Sequence, residues 1–496
     1  MRSPTLAIRA DASLNIGSGH ILRMIALGQA WMDRGGKVVF ISQQCPAWLV
    51  DRIRHEGFEH RFTLASDMGS RADCLKTVDL TQELACNWIV LDGYHFTAQF
   101  QQPLQEAGLK VLAVDDYGHS DIWLTNAILN QNIYASTNSY RSIGDDCSLM
   151  LGLRFVLLRK EFSSAINKGE ATSTVLRKIL LTLGGEDPGN ITGRVIHMLN
   201  TASTTPLEVR VLVRSHSPHL DELKKLALST HHSIDILTDV RDMPKMYLWA
   251  DGVISAGGST CYEWLRYGLP GCVITIAKNQ QLVTKALTER QLATDLGWHD
   301  QLDTEGSLRN LQSWLATEHL HRNTDVDLVD GYGASRVAAF LDNGIWLRRA
   351  SKNDERLYFD WANDLWVRQN SIQSKKIDWA EHVQWFSKQI RSDNSRLMVA
   401  MIENKQIGQV RFERKEFQEW EIGLSLAFEE RGKGLASKII ELAIRQLRSE
   451  GIATIIAKVK SNNKPSISSF EKLGFQKMAS ETIDPIWFRL EASRII

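Results

Sequence analysis

The sequence predicts an α/β chain: two Rossmann-like domains in succession, followed by a smaller α+β domain. Three observations carry this reading. Short apolar runs alternate with helix-length amphipathic stretches through most of the chain. Glycine-rich breaks fall directly after several of those runs. Beyond Trp346 the alternation gives way to strands that follow one another without helices between them. Alternating strands and helices call for a parallel, helix-covered sheet, whereas successive strands call for an antiparallel one.

The elements read in order as follows. An apolar run at 6–11 leads into NIGSGH, and ILRMIALGQAWMDR then holds helical spacing until Gly35-Gly36 stop it. KVVFIS, WIVLD (88–92) and KVLAVDD (110–116) are the next strands. A second series opens with KILLTLGG near Lys178, followed by the helical NITGRVIHMLN. LEVRVLV, SIDILT, DGVISAGG and GCVITI recur as strands with helical stretches between them. The pattern changes after DGYGASRVAAFLDNG: RLMVAMIE, IGQVRFER and EWEIGLSLA are strands, LASKIIELAIRQLR is a helix, and IATIIAKVK is another strand. The expected domains are therefore 1–165, 166–340 and 345–496, a division that 496 residues accommodate at ordinary domain sizes.

Composition excludes several function classes. Lys+Arg and Asp+Glu both total 58, so no net charge steers the chain toward nucleic acid. From Trp346 onward 26 basic residues face 20 acidic ones, which leaves the first 345 residues with the opposite excess. That split fits units of separate origin and identifies no ligand. The six cysteines are scattered without a Cys-x-x-Cys pair, so neither a disulfide framework nor a zinc site is expected. No run approaches 18 apolar residues, and the N-terminus lacks a secretory apolar core. The expectation is a cytoplasmic protein with no membrane or nucleic-acid partner; its oligomeric state is not legible.

Gly17-Ser18-Gly19-His20 lies between a strand and a helix, where glycines permit a tight turn and close approach of a ligand. Arg23 stands where a dinucleotide fingerprint would want a small residue. Taken alone, the loop reads first as a structural turn carrying an incidental histidine. Gly184-Gly185 and Gly257-Gly258-Ser259-Thr260 each follow an apolar strand and suit a diphosphate held by backbone amides. In the third domain, Arg431-Gly432-Lys433-Gly434-Leu435-Ala436 joins a strand to a helix, again with small residues at the turn.

The string IRADASLNIGSGHILR resembles the start of the UDP-2,4-diacetamido-2,4,6-trideoxy-β-L-altropyranose hydrolases of pseudaminic acid biosynthesis. The likeness continues at VLDGYHF, AVDDYGHSD, LNQN, GLRFVLLRKEF, LTLGGEDPGN, ISAGGSTCYEWLRYGLP and KNQ, over nearly all of the first 340 residues. It implies a GT-B arrangement of the two Rossmann-like domains and cleavage of a sugar–phosphate bond by water. It places the general base on His20, a role suited to imidazole with its ordinary pKa of ~6.5. Asp11 then orients the imidazole or holds the sugar, against the alternative of a turn-forming residue. Tyr94 matches an active-site position, against the alternative of a packed aromatic. The implied substrate contacts are Gly17, Gly19, Gly185, Asn190, Gly258, Ser259, Thr260, Glu263, Asn279 and Gln280, with Glu263 toward the ribose.

The third domain is similar to the GNAT acetyltransferases, through R-x-x-G-x-A at 431–436 and NKPSISSFEKLGF at 463–475. The resemblance implies acetyl-CoA as co-substrate, with Arg431, Gly432, Lys433, Gly434, Leu435 and Ala436 at its pyrophosphate and Asn463 and Ser466 nearby. Glu421 is the candidate base, against the alternative of an exposed strand carboxylate. Many relatives carry a tyrosine that protonates the departing thiolate where this chain has Phe470; Ser466 or a water would have to substitute, or CoA would leave as the thiolate. Together the two resemblances imply a bifunctional enzyme. It would acetylate the 4-amino group of a UDP-linked 4-amino-4,6-dideoxy sugar and hydrolyse the resulting UDP-diacetamido sugar, with no metal. The rival readings are a GT-B glycosyltransferase and a non-catalytic nucleotide-sugar sensor.

Overall fold

Strands buried at nearly every position must be covered on both faces, which is the signature of parallel sheets. β1 (Thr5–Ala10) and β2 (Lys37–Ser42) are each buried at all positions but the first. The computed structural model describes residues 4–13, 16–63, 67–163, 173–184, 187–317, 319–320, 328–415, 419–478 and 484–491. The chain divides into two compact units, Met1–Ser335 and Arg336–Ile496.

The first unit holds two parallel sheets. β3 (Glu59–Phe62), β4 (Cys86–Asp92), β5 (Lys110–Val114), β6 (Ala127–Asn130) and β7 (Ser148–Leu151) complete the first, in the order β3-β2-β1-β4-β5-β6-β7. After the two-residue strand β8 (Ser173–Thr174), the second sheet takes β9 (Lys178–Thr182), β10 (Glu208–Val213), β11 (Ser233–Thr238), β12 (Gly252–Ala256), β13 (Gly271–Thr275) and β14 (Ala293–Trp298). Its order is β11-β10-β9-β12-β13-β14, and β8 pairs with β15 (His319–Leu320). Both large sheets start in the middle, wind one way and then the other. The reversal leaves a crevice at the carboxyl ends of β1 and β4, and another at those of β9 and β12.

The helix Gly19–Met32 shows how the first crevice is built. Ile21, Met24, Ile25, Leu27 and Trp31 are buried. That stripe presses the helix onto the sheet, so its N-terminal turn, with His20, stands beside the ends of β1 and β4. Gly35, with a φ of +81°, ends the segment in a conformation that side-chain-bearing residues avoid.

The second unit is one sheet in the order β16-β17-β18-β19-β20-β22-β21. Its strands are β16 (Ile345–Arg349), β17 (Ser395–Ile402), β18 (Lys405–Arg414), β19 (Glu419–Leu426), β20 (Thr454–Val459), β21 (Gln476–Lys477) and β22 (Ile486–Glu491). The helix Leu435–Ser449 lays Ile439, Ile440, Ala443, Ile444 and Leu447 against Val410, Phe412, Trp420, Ile422 and Ile455. All neighbours are antiparallel except β19 and β20. That parallel pair holds for only three registered positions, 419–421 against 454–456, and then the strands diverge. Among the described residues, no helix is long and apolar enough to cross a membrane.

Packing is tight enough in the second sheet to test. A Cβ built on Gly271 would lie 2.6 Å from the Trp264 ring, whose indole N–H donates to Ser255 at 3.0 Å. Gly271→Ala should therefore destabilise the first unit by about 1–3 kcal/mol. Urea unfolding followed by tryptophan fluorescence checks it; an unchanged midpoint would show that the indole moves freely.

Candidate active sites

The crevice of the first sheet gathers polar groups from four strand ends. His20 Nδ1 lies 2.6 Å from Asp92 Oδ1, at the last position of β4. A carboxylate only accepts, so the proton sits on Nδ1 and the lone pair of Nε2 is left for chemistry. Arg23, one helical turn after His20, donates to both oxygens of Asp92 (2.7 and 2.6 Å) and to both of Asp116 (2.8 and 3.2 Å). Asp116 also accepts from the Tyr94 hydroxyl at 2.7 Å and the Asn132 amide at 2.8 Å. Burial opposes charge on both carboxylates, yet Arg23 outweighs it and holds them below the ordinary range, Asp116 far below. Burial and the Asp116 charge push the Tyr94 phenol well up, so it stays a donor.

Asp11 is not the group that orients the imidazole. Its carboxylate pairs with Arg9, accepts the amides of Gln43 (2.6 Å) and Gln44 (2.9 Å), and meets His95 Nε2 at 3.2 Å. With Asp73 it neutralises the buried Arg9, so its work is to anchor the turn after β2. Asp92 takes the place expected of it. Arg23, Asp92, Asp116 and Asn132 escaped the sequence reading, although aspartates closing apolar strands in VLD and AVDD were the available signal. Gly17, with a φ of +80°, donates its amide to the Ser13 carbonyl at 2.8 Å, and Gly19 opens the helix with space around its Cα.

In the second sheet the loop after β12 is the open one. Glycine is required at Gly257, where a Cβ would fall 2.2 Å from the Thr284 hydroxyl. The helix Thr260–Arg266 has no side-chain cap, and the amides of Gly258, Ser259 and Thr260 have no acceptor among the described residues. Gln280 lies beside Gly257 and Gly258 and accepts the Ile276 amide at 3.0 Å; Asn279 precedes it in the turn Lys278–Gln280. Glu263 accepts from Tyr247 at 2.9 Å beside Arg159; burial raises its carboxyl, with these two partners in partial opposition. Gly185 lies outside the described residues. The helix after it is already capped: Asp187 accepts the amides of Ile191 and Thr192, and Asn190 that of Gly193. Asn190 thus spends its carbonyl on its own helix.

In the second unit, Gly432 and Gly434 have φ values of +77° and +72° and turn β19 into the helix Leu435–Ser449. That helix also lacks a side-chain cap, so the backbone N–H groups from Gly432 to Ala436 have no acceptor among the described residues. Arg431, expected at the pyrophosphate, is committed elsewhere: it donates to the Leu426 carbonyl (3.2 and 3.0 Å) and pairs with Asp364 at 2.9 Å. Lys433 pairs with Glu430 at 2.9 Å. Asn463 caps the helix Lys464–Lys472 through the Ser466 amide. Glu421 stands at the last position where β19 pairs with β20, 2.9 Å from Lys458. Phe470 is a core residue, against Phe475 and stacked with Phe488. Among the described residues, no group of three or more His, Cys, Asp or Glu could hold a metal ion.

Comparison with known proteins agrees with this division. Residues 345–476 match the family model of the acetyltransferase (GNAT) domain. Across 95% of the chain and 96% of its own length, an uncharacterized protein of Methanocaldococcus jannaschii, MJ1062, is 22% identical. The spore coat polysaccharide biosynthesis protein SpsG of Bacillus subtilis is 23% identical over 68% of the chain and 98% of its own length. The UDP-2,4-diacetamido-2,4,6-trideoxy-β-L-altropyranose hydrolase of Campylobacter jejuni is 25% identical over 57% of the chain and 95% of its own length. The chain thus joins a nucleotide-sugar enzyme-like region to a C-terminal GNAT domain.

Two expectations follow for the acetyltransferase domain. A side chain at Gly434 would meet no protein atom but would strain a left-handed residue within the amide cradle. Gly434→Val should weaken acetyl-CoA binding at least ~10-fold, about 1.4 kcal/mol; calorimetry giving an unchanged Kd would move the cofactor away from this loop. Phe470→Tyr adds a hydroxyl to a buried aromatic cluster, which costs roughly 1–3 kcal/mol if it finds no partner. It should lower the melting temperature and leave acetyl transfer no more than ~10-fold faster. An inactive parent protein rescued by that substitution would mean that a missing proton donor had silenced the domain.

Proposed function

We propose that the first unit hydrolyses a UDP-linked 2,4-diacetamido-2,4,6-trideoxy sugar, and that the second unit makes this substrate by acetylating the 4-amine of its precursor. The observation that carries the hydrolase is the His20–Asp92 pair at the crevice where the strand order reverses. His20 Nε2 takes a proton from water, and the water oxygen bonds to the anomeric carbon. The bond from that carbon to the UDP oxygen breaks, and UDP departs with the electron pair. The amides of residues 258–260 receive its diphosphate charge. Glu263 suits the ribose hydroxyls, while Tyr94 and Asn279 bound the sugar from opposite sides of the crevice.

In the second unit the amides of residues 432–436 hold the pyrophosphate of acetyl-CoA. The gap where β19 leaves β20 exposes unpaired strand edges to the pantetheine arm and its thioester. The sugar amine attacks the thioester carbonyl and the C–S bond breaks. CoA leaves as the thiolate, tolerable for a thiol of pKa ~8.5. A sugar amine flanked by electron-withdrawing oxygens should titrate near the ~7.7–8.0 of an α-amino group. Glu421, relayed by water, then has only a modest proton to remove. This reading supports the pseudaminic acid pathway and a cytoplasmic setting, where UDP-sugars and acetyl-CoA are made.

His20→Ala should lower UDP release at least ~100-fold while UDP-sugar binding persists. Asp92→Asn should be comparably harmful, because an amide N–H facing Nδ1 places the ring proton on Nε2. Incubating the protein with the UDP-4-amino sugar and acetyl-CoA, and following products by NMR, tests the whole reading. Near-normal turnover in either variant, or acetylation without UDP release, would remove the hydrolase assignment.

A further inference from the structure

We infer that Arg23 is a positioning residue of the hydrolytic site: by bridging Asp92 and Asp116 it fixes the tautomer and aim of His20. The inference rests on His20 acting as the base for UDP release, as proposed above. Arg23 follows His20 by three residues, so both face the crevice from one side of the helix. Asp92 ends β4 and Asp116 follows β5, neighbouring strands of one sheet; the Asp92 carboxylate is fully buried and that of Asp116 only 14% exposed. Two carboxylates this close and this dry cannot both stay ionised unaided.

One guanidinium resolves the conflict. Its planar fork reaches all four carboxylate oxygens at 2.6 to 3.2 Å, a geometry an ammonium cannot reproduce. The titratable groups around it are Asp92 and Asp116 from the strand ends, His20 on its own helix, and the phenols of Tyr94 and Tyr134. Neither phenol is a cation, so while His20 is neutral Arg23 is the one positive charge in that set. Its consequence for catalysis runs through Asp92. An ionised Asp92 accepts the Nδ1 proton and leaves Nε2 basic. A protonated Asp92 would donate to Nδ1 instead, moving the ring proton to Nε2 and blocking the nitrogen that must receive a proton from water.

The test is the pH–rate profile for UDP release from the UDP-linked diacetamido sugar, using the full chain and its Arg23→Gln and Arg23→Lys variants. Arg23→Gln should lose at least ~100-fold near pH 7. Its acidic limb should move up by about one pH unit or more, because Asp92 now ionises only at higher pH. Arg23→Lys should keep its acidic limb near that of the parent, since the charge survives, while its maximal rate falls with the lost fork. Calorimetric affinity for UDP should stay within about threefold in both variants, because the diphosphate contacts lie on the other sheet. An Arg23→Gln profile of the parent's shape, merely scaled down, would overturn the inference, as would parental rates in Arg23→Lys. A parent protein that releases no UDP at any pH would instead sink the hydrolase reading on which the inference stands.

Discussion

The crevice of the first sheet depends on one constraint: two carboxylates, Asp92 fully buried and Asp116 nearly so, lie side by side at the end of a parallel sheet. Parallel strands bring successive chain segments to one edge, and the reversal of winding opens a crevice there. That geometry is what delivers Asp92, Asp116 and Asn132 from separate strands to within reach of one helix. It also concentrates negative charge in a place where water cannot screen it. The guanidinium of Arg23 is fixed by four hydrogen bonds to those carboxylates, and everything functional nearby is fixed in turn. His20 hangs on Asp92, Tyr94 hangs on Asp116, and Asn132 ties Asp116 to Tyr262 on the helix beside the candidate diphosphate loop, with a 2.8 Å bond at each end. His20, Tyr94 and the helix that follows the β12 loop therefore share one hydrogen-bonded framework.

Under the proposed function the acetyltransferase domain meets a different problem with backbone alone. A thioester carbonyl and a pyrophosphate both want N–H donors, and secondary structure normally consumes them. Two devices release them. The parallel pair β19 and β20 separates after three positions, and two left-handed glycines start a helix without a side-chain cap. The side chains of the same motif are spent on holding it. Arg431 clamps the end of β19 to Asp364, and Lys433 is bound to Glu430. This is why the motif demands small residues at 432 and 434, while the side chains of Arg431 and Lys433 are paired within the domain.

Much of the fold was legible because its strands are buried on both faces and therefore apolar throughout. EHRF of β3 was not, since an edge strand with three exposed positions carries no such signal. ATDLGW of β14, another edge strand, is half-buried at five of its six positions, and its mixed polarity hid it. Sequence pattern found the loops that carry glycine and the histidine that follows them. It misjudged partnerships, because a partner is chosen by tertiary packing: Asp11 is nine residues from His20 and serves Arg9, while Asp92 is 72 residues away and touches the imidazole. Phe470 likewise invited a catalytic comparison by its place in a motif, yet its ring belongs to the core.

Joining the two chemistries in one chain has a physical logic under the proposed function. Acetylation converts a sugar amine, partly protonated near neutral pH, into a neutral amide. The crevice of the first unit sets Arg23 against two ionised carboxylates, and His20 becomes cationic each time it takes a proton. An ammonium on the bound sugar would be drawn to those carboxylates and would compete with Arg23 and His20 for them. It would weaken the hold of Asp92 on the base at the moment the water must lose its proton. The amide removes that competition and adds a carbonyl acceptor and an N–H donor to be recognised. Hydrolysis of the acetylated sugar is thereby favoured over hydrolysis of its precursor. The order of the two steps is then set by charge in the hydrolytic crevice, with no requirement that the intermediate pass directly between the units.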